Sequence, residues 1–309
     1  MNEQSTVTRP GARTTPSVPP LGRHYQVAGG RLMLHRSGTG GPSVVFLPGA
    51  GLVGLDYVNI HDRTAELTTS VLYDRAGTGW SDPAPLPRPA ADVAAELRDL
   101  LRAAAVPGPY LLVGHSLGAA YARQYACAHP DEVAGLLLLD PFHEDMLARA
   151  SEEVRRKNAE FSAQEPPEPT AEQLERSREV IAPLFAAWPD AVREPLVEYH
   201  LTRWRTGMDE NRNVHDEVAG EMRRLTAPPD VPLIVLTAMG LDATQVALWS
   251  ESVVREMNEA KRHLHAGLAA SVPRGEQRIL PGAGHGWPHE EAPEEVLTAL
   301  RDLLRAAGR

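Results

Sequence analysis

Cysteine is nearly absent from this chain. Cys127 stands alone, so no intramolecular disulfide can form and the fold must rest on its buried core. That usage suits a reducing compartment, and the cytoplasm is the expected location. Clusters of lysine and arginine are lacking too. The formal net charge is −10, which argues against a phosphate-tracking surface, so neither nucleic acid nor a membrane is an expected partner. A small-molecule substrate is the expected partner, with homo-oligomerisation left open. Long apolar runs are also missing: the strongest, VAGLLLLD at 133–140, falls far short of the ~20 residues that span a bilayer. No H-E-x-x-H and no paired cysteines occur, so no metal is expected, and no organic cofactor either. The opening stretch MNEQSTVTRPGARTTPSVPP has no apolar segment of the secretory type; residues 1–22 read as a disordered leader.

What remains is 309 residues with 42% hydrophobic content, enough for one large core or a core plus a smaller inserted unit. β-character at 24–28 and 31–36, separated by Gly29-Gly30, predicts an antiparallel hairpin. SVVFLPGAG, VLYD, YLLVG, VAGLLLLD, VPLIVLT and EQRILPG are short apolar runs, several continuous enough for strands buried on both faces. Helical patterns separate them, for example Val93, Leu97, Leu100 and Leu101 between Pro89 and Ala105. From Pro141 to Pro229 the pattern changes to charged, proline-interrupted helical segments without a buried strand. The expected fold class is therefore α/β, a mostly parallel sheet with helices on both faces. Residues 23–141 and 229–309 would form the core domain, and 142–228 an inserted helical cap.

Gly114-His115-Ser116-Leu117-Gly118 is a G-x-S-x-G pattern with a buried strand before it and a helix of small residues after it. The bare pattern is weak, but this context is what a nucleophile elbow requires. The glycines let strand and helix approach without Cβ clashes, and Ser116 would stand exposed at the helix N-terminus.

With this elbow the chain resembles the α/β-hydrolase superfamily from about Arg23 to its C-terminus. Four stretches carry the resemblance in order: FLPGAGLVG as the oxyanion-loop strand end, YDRAGTGWSD as the Gly-rich turn after the next strand, LVGHSLGAAYARQYACAHPDEV as the elbow and its helix, and GAGHGWPHEEAPEEV as the histidine loop. Pro48 departs from the pattern, standing where family members commonly have histidine. The resemblance implies an α/β-hydrolase fold and the chain order serine, acid, histidine.

A serine hydroxyl needs a base to accept its proton, and imidazole titrates in the useful range. His285, after a strand and among glycines, is the candidate; His115 resembles the family's structural histidine, and His289 is assigned to the following polar turn. Two aspartates compete for the acid. Asp140 directly ends LLLLD, where a rigid strand would hold its carboxylate, and is favoured; Asp242, in the looser MGLDATQ, is the alternative. The oxyanion hole needs two backbone N–H groups, expected from Leu117 and Ala50. The stretch from Arg75 to Ser81 is expected to shape the turn beside the active site, with the alternative that Arg75 simply pairs with Asp74 or Asp82, and it is assigned no catalytic role. Trp188, Trp204, Trp249 and Trp287 are either core residues or walls of an acyl pocket, with only Trp287 near the site by sequence.

The expected function is a serine hydrolase that cleaves a carboxylic ester, or a related acyl bond, of a small to medium apolar substrate. Thioesterase, lactonase and carbon–carbon bond hydrolase chemistry fit the same residues. A biosynthetic cyclase or acyltransferase, and a non-catalytic binding protein on the same fold, are the alternatives from other classes.

Overall fold

The apolar runs of the sequence line up side by side in one sheet. The computed structural model describes residues 18–163, 165, 167–225, 230–242, 245–246 and 249–308; residues 1–17 of the expected leader and 164, 166 and 226–228 of the expected cap lie outside the described residues. The strands are β1 Arg23–Val27, β2 Gly30–Ser37, β3 Ser43–Leu47, β4 Ser70–Tyr73, β5 Tyr110–His115, β6 Val133–Leu139, β7 Leu233–Ala238 and β8 Gly275–Leu280. Their order across the sheet is β1-β2-β4-β3-β5-β6-β7-β8. The pairs β1/β2 and β2/β4 are antiparallel, and every pairing from β4 onward to β8 is parallel. The predicted hairpin is present, but its turn is Ala28-Gly29, because Gly30 already pairs with Val27.

Continuous apolar strands make sense because both faces of the sheet are covered. Val44, Phe46, Leu111, Val113, Leu137, Leu139, Ile234 and Leu236 face one core. Their neighbours Val45, Leu47, Leu112, Leu136, Leu138 and Val235 face the other, as the two-residue period of a strand requires. The first core is closed by the helices Val58–Ala65 and Pro293–Ala307, the second by Ala90–Ala103 and Leu117–Ala128. Burying each Leu or Val contributes roughly 1.5–3 kcal/mol before entropy is counted. This is the expected mostly parallel α/β architecture.

Between β6 and β7 the described residues form helices and no strand: Met146–Arg149, Glu152–Ala163, Ala171–Ile181, Asp190–Thr202, Arg205–Asn211 and Ala219–Arg224, with a π-helical turn at Val214–Val218. Phe185, Trp188, Val192, Leu196 and Tyr199 from this stretch join the core on the first face.

The register decides where the chemistry can sit. Leu47 of β3 pairs with Gly114 of β5, His115 with Leu139 of β6, and Leu139 with Leu236 of β7. The residues that follow these strands therefore emerge together at one edge. The chain crosses from β4 over β3 to β5, so this edge also lies where the strand order reverses, the usual ligand position in open α/β sheets.

Candidate active site

Ser116 joins β5 to the helix Leu117–Ala128 with φ 50° and ψ −118°, a left-handed conformation that a side chain rarely adopts. Its backbone is held on both sides: its N–H donates to Leu139 O at 3.1 Å, and its carbonyl accepts from Phe142 N at 3.0 Å. The flanking glycines are sterically required. A Cβ on Gly118 would lie 2.0 Å from Leu47 O, and one on Gly114 would lie 2.5 Å from the Ala119 Cα.

The Ser116 Oγ is 3.0 Å from His285 Nε2, and His285 Nδ1 is 2.6 Å from Asp140 Oδ2. A carboxylate only accepts, so Nδ1 carries the hydrogen and Nε2 is free to accept from the serine. Asp140, fully buried and itself at φ 41°, receives two more hydrogen bonds: Ala238 N–H to Oδ1 at 2.9 Å and Lys261 Nζ to Oδ2 at 2.8 Å. Burial alone would push this carboxyl up, but the Lys261 ammonium and His285 hold it well below the usual carboxylate range. His265 lies beside it, its Nδ1 4.0 Å from Asp140 Oδ1. Its Nε2–H donates to Pro141 O at 2.8 Å and its Nδ1 lies 3.0 Å from Thr237 Oγ1, while burial keeps its pKa down at about 4 and the ring neutral.

Asp242 does something else. Its Oδ2 accepts from the Gly286 N–H at 2.9 Å and its Oδ1 from the Gln245 N–H at 3.0 Å, so this carboxylate holds the backbone of the histidine loop. A second brace comes from His115, whose Nε2–H donates to the His285 carbonyl at 2.8 Å; its Nδ1 accepts from the Tyr57 hydroxyl at 2.6 Å, which in turn accepts from the Gly49 N–H at 3.3 Å. Burial drives the His115 pKa well down, so this relay stays neutral. His289 is not in a polar turn as expected. It is buried, stacked on Tyr57 with centroids 4.2 Å apart, and its Nε2 bonds Asp56 O at 3.1 Å; the short helix Pro288–Glu291 turns it inward while Glu290 and Glu291 follow it. Trp287 packs edge-on against Phe185 at 5.6 Å and Trp188 at 6.4 Å.

Across the site, the loop after β3 uses almost all of its amides. Gly49 N–H goes to Tyr57, Gly51 to Glu210, Leu52 to Gly49 O, Val53 to Asp56 and Gly54 to Asp74. Ala50 N–H makes no hydrogen bond to the described residues, and neither does the Leu117 N–H at the start of the helix after Ser116. The loop is close to the serine: a Cβ on Gly49 would stand 3.4 Å from Ser116 Cβ.

Arg75 pairs with neither Asp74 nor Asp82. Asp82 is taken by Arg31 at 2.9 Å, and Asp74 accepts from the amides of Gly54 and Trp80. Arg75 instead turns inward to Glu210, at 2.8 Å, with 1% and 3% of the two side chains exposed. Lys261, Glu210 and Tyr57 are the residues that sequence reasoning missed. Each meets the site from a distant element, and no local motif marks them; the one available signal is that Lys261 and Lys157 are the chain's only lysines.

Residues 44–299 match the alpha/beta hydrolase family. The chain is 38% identical over 111 residues to the uncharacterized protein YqjL of Bacillus subtilis, covering 35% of this chain and 42% of that one. It is 41% identical over 99 residues, 32% of this chain and 37% of the other, to a pimeloyl-acyl-carrier protein methyl ester esterase of Chromobacterium violaceum. The chain spans less than half the length of the curated relatives it matches. Among solved structures, a thermophilic esterase from Thermogutta terrifontis is similar over 92% of this chain and 97% of its own, with a TM-score of 0.59 and 21% identity, a likeness of fold. No helix among the described residues is long and apolar enough to cross a membrane.

Proposed function

The chain belongs to the alpha/beta hydrolase family, and we propose that within it the protein is a serine hydrolase acting on carboxylic esters through Ser116, His285 and Asp140. The observation that carries this reading is the continuous hydrogen-bonded path from Ser116 Oγ through both nitrogens of His285 to Asp140 Oδ2, at 3.0 and 2.6 Å. His285 Nε2 takes the hydroxyl proton as Oγ attacks the carbonyl carbon, and the resulting oxyanion is met by the N–H groups of Ala50 and Leu117. Collapse breaks the acyl–oxygen bond, with the proton passing from His285 to the leaving alcohol. A water then gives its proton to His285, attacks the acyl-enzyme and releases the acid, returning the hydrogen to Ser116. Asp140 keeps the imidazole in the tautomer this needs.

The ester reading, as against other acyl bonds, draws support from the methyl ester esterase and the thermophilic esterase to which the chain is similar. Substrate choice falls to the inserted helices of 142–228 acting as a cap, whose Phe185 and Trp188 pack with Trp287 two residues beyond His285; the aromatic character favours a small to medium apolar acyl or alcohol group.

The test is labelling with a fluorophosphonate followed by peptide mapping, together with p-nitrophenyl esters of increasing acyl length. The label should sit on Ser116. Ser116→Ala should lose on the order of 10⁴–10⁶-fold in kcat; a variant that retains full esterase activity, or a label found elsewhere, rules the reading out.

A further inference from the structure

The loop that carries Ala50 is held by a charged pair assembled from two distant parts of the chain. Arg75, in the turn after β4, donates from Nη1 to Pro48 O at 2.7 Å and from Nη2 to Gly49 O at 3.0 Å. Its Nε and Nη2 also reach Glu210 Oε1 and Oε2 at 2.9 and 3.1 Å. Glu210 Oε2 in turn accepts from the Gly51 N–H at 2.7 Å. One guanidinium thus pulls two successive carbonyls to one side, and its carboxylate partner takes the amide just beyond them. The two peptide groups flanking Ala50 are fixed by opposite ends of the same ion pair.

The direction of the Ala50 N–H follows from peptide planarity. In a trans peptide the carbonyl and the N–H point opposite ways, so with Gly49 O turned toward Arg75 the Ala50 N–H must point away from it. The helix Arg205–Asn211, which carries Glu210, is seated against this loop backbone to backbone: a Cβ on Gly51, at φ +75°, would lie 2.9 Å from the Gly207 Cα, and one on Gly207 would lie 3.2 Å from the Gly51 Cα.

We propose that Glu210 is a positioning residue for transition-state stabilisation, holding the 48–51 backbone through Arg75 and Gly51 so that the Ala50 N–H faces the reacting oxygen unpaired. This rests on the hydrolase reading given above, and it assigns to the inserted helix Arg205–Asn211 a part in the chemistry as well as in any choice of substrate. A preorganised donor gains its effect by needing no rearrangement when charge develops. An Ala50 amide free to swing would weaken binding of the tetrahedral species while leaving ground-state substrate binding nearly unchanged.

Three measurements on the full-length protein test this. In the wild type, amide exchange should be slow at Gly51 and fast at Ala50; in Glu210→Met, which keeps the bulk but has no oxygen to accept the Gly51 N–H, that protection should fall at least tenfold. With p-nitrophenyl butyrate, Glu210→Met should lose about 10–100-fold in kcat with KM changed less than about threefold. Affinity for phenylboronic acid, which forms a tetrahedral adduct on a serine, should fall in step with kcat, while affinity for butyrate, a ground-state product, should hold. Ratios of inhibition constants do not depend on how much enzyme is folded, so a merely structural role would leave them unmoved.

Because Glu210→Met breaks a buried ion pair and can fail to fold, Gly207→Ala serves as the second variant. It leaves both charges in place, forces the helix and the loop apart by a few tenths of an ångström, and should show the same kcat-selective loss at about 3–10-fold. Unchanged Gly51 protection in the folded variants, or boronate and butyrate affinities that fall together, overturns the proposal. A wild-type protein that neither takes the fluorophosphonate label nor cleaves esters would instead remove the hydrolase reading, and the exchange experiment would still decide whether Glu210 holds the loop.

Discussion

The loops after β6 and β7 each carry an aspartate within reach of the histidine loop, and the two side chains have been given different work. Asp140 is fully buried, carries an ammonium partner in Lys261, and directs an oxygen at the imidazole of His285. Asp242 is half-buried and spends its oxygens on backbone N–H groups, one of them in Gly286 beside that same histidine. Proximity in sequence to a strand end is common to both. What separates them is whether the carboxylate meets the imidazole ring or a peptide. An acid that meets the ring governs its tautomer, while one that meets the backbone governs only where the loop lies.

The comparison breaks most visibly at the two acids. Asp140→Asn should lose on the order of 10⁴-fold in kcat, because an amide can present N–H to Nδ1 and favour the wrong tautomer. Asp242→Asn should cost less than about fivefold, its oxygen still accepting from the Gly286 N–H. Parallel steady-state rates on one ester settle it, and equal losses would erase the distinction. The next largest effect concerns Lys261. Removing its ammonium leaves the buried Asp140 carboxylate without its lysine partner at 2.8 Å, so Lys261→Met should lower stability at pH 7 by about 3 kcal/mol in denaturant titrations. A variant as stable as the wild type would mean the lysine serves packing alone.

The smallest catalytic effect is expected at Glu144, which secures the loop after β6 by a two-pronged bond to Arg123 at 2.8 and 2.9 Å. Burial pushes this carboxyl up, yet Arg123 overrides it and brings the pKa down to about 2 from an ordinary 4.5. A depressed carboxylate pKa stabilises the fold above the ordinary value, and that stability fades as pH falls from about 4.5 toward 2. Glu144→Gln should therefore lower stability by about 2 kcal/mol at pH 7, with the gap to wild type closing across that acid window in denaturant titrations. A gap that stays constant with pH would show that the pair contributes no charge-dependent stability.

How much of the fold and of the site is legible in the sequence depends on how local each signal is. The strands were legible because runs such as VVFL and LLLL need two covered faces. Ser116 and its glycines were legible because the elbow is a steric problem solved within five residues, and Asp140 because it ends a rigid strand. The finer geometry was less accessible. His289 looked polar from its neighbours Glu290 and Glu291, whereas the turn of the short helix sends it under Tyr57. Arg75 looked like the partner of an adjacent aspartate, but Asp74 is spent on the amides of Gly54 and Trp80, and the true partner lies 135 positions away. Lys261 sits in a charged helical stretch, Glu251–Ala269, where nothing in the spacing separates a residue facing Asp140 from one facing water. Long-range charge pairing has no periodicity, and so leaves no pattern to read.

Ser116 and Asp140 both keep left-handed backbone without being glycine, a state that costs about 1–3 kcal/mol per residue. The surrounding strands hold that tension in place, so the fold works against its own melting temperature at the proposed nucleophile and acid. Ser116→Gly, chemically silent, should consequently melt a few degrees above the wild type, roughly the equivalent of 1 kcal/mol. Activity and thermal resilience are traded against each other at a single peptide unit, and calorimetry can measure the exchange directly.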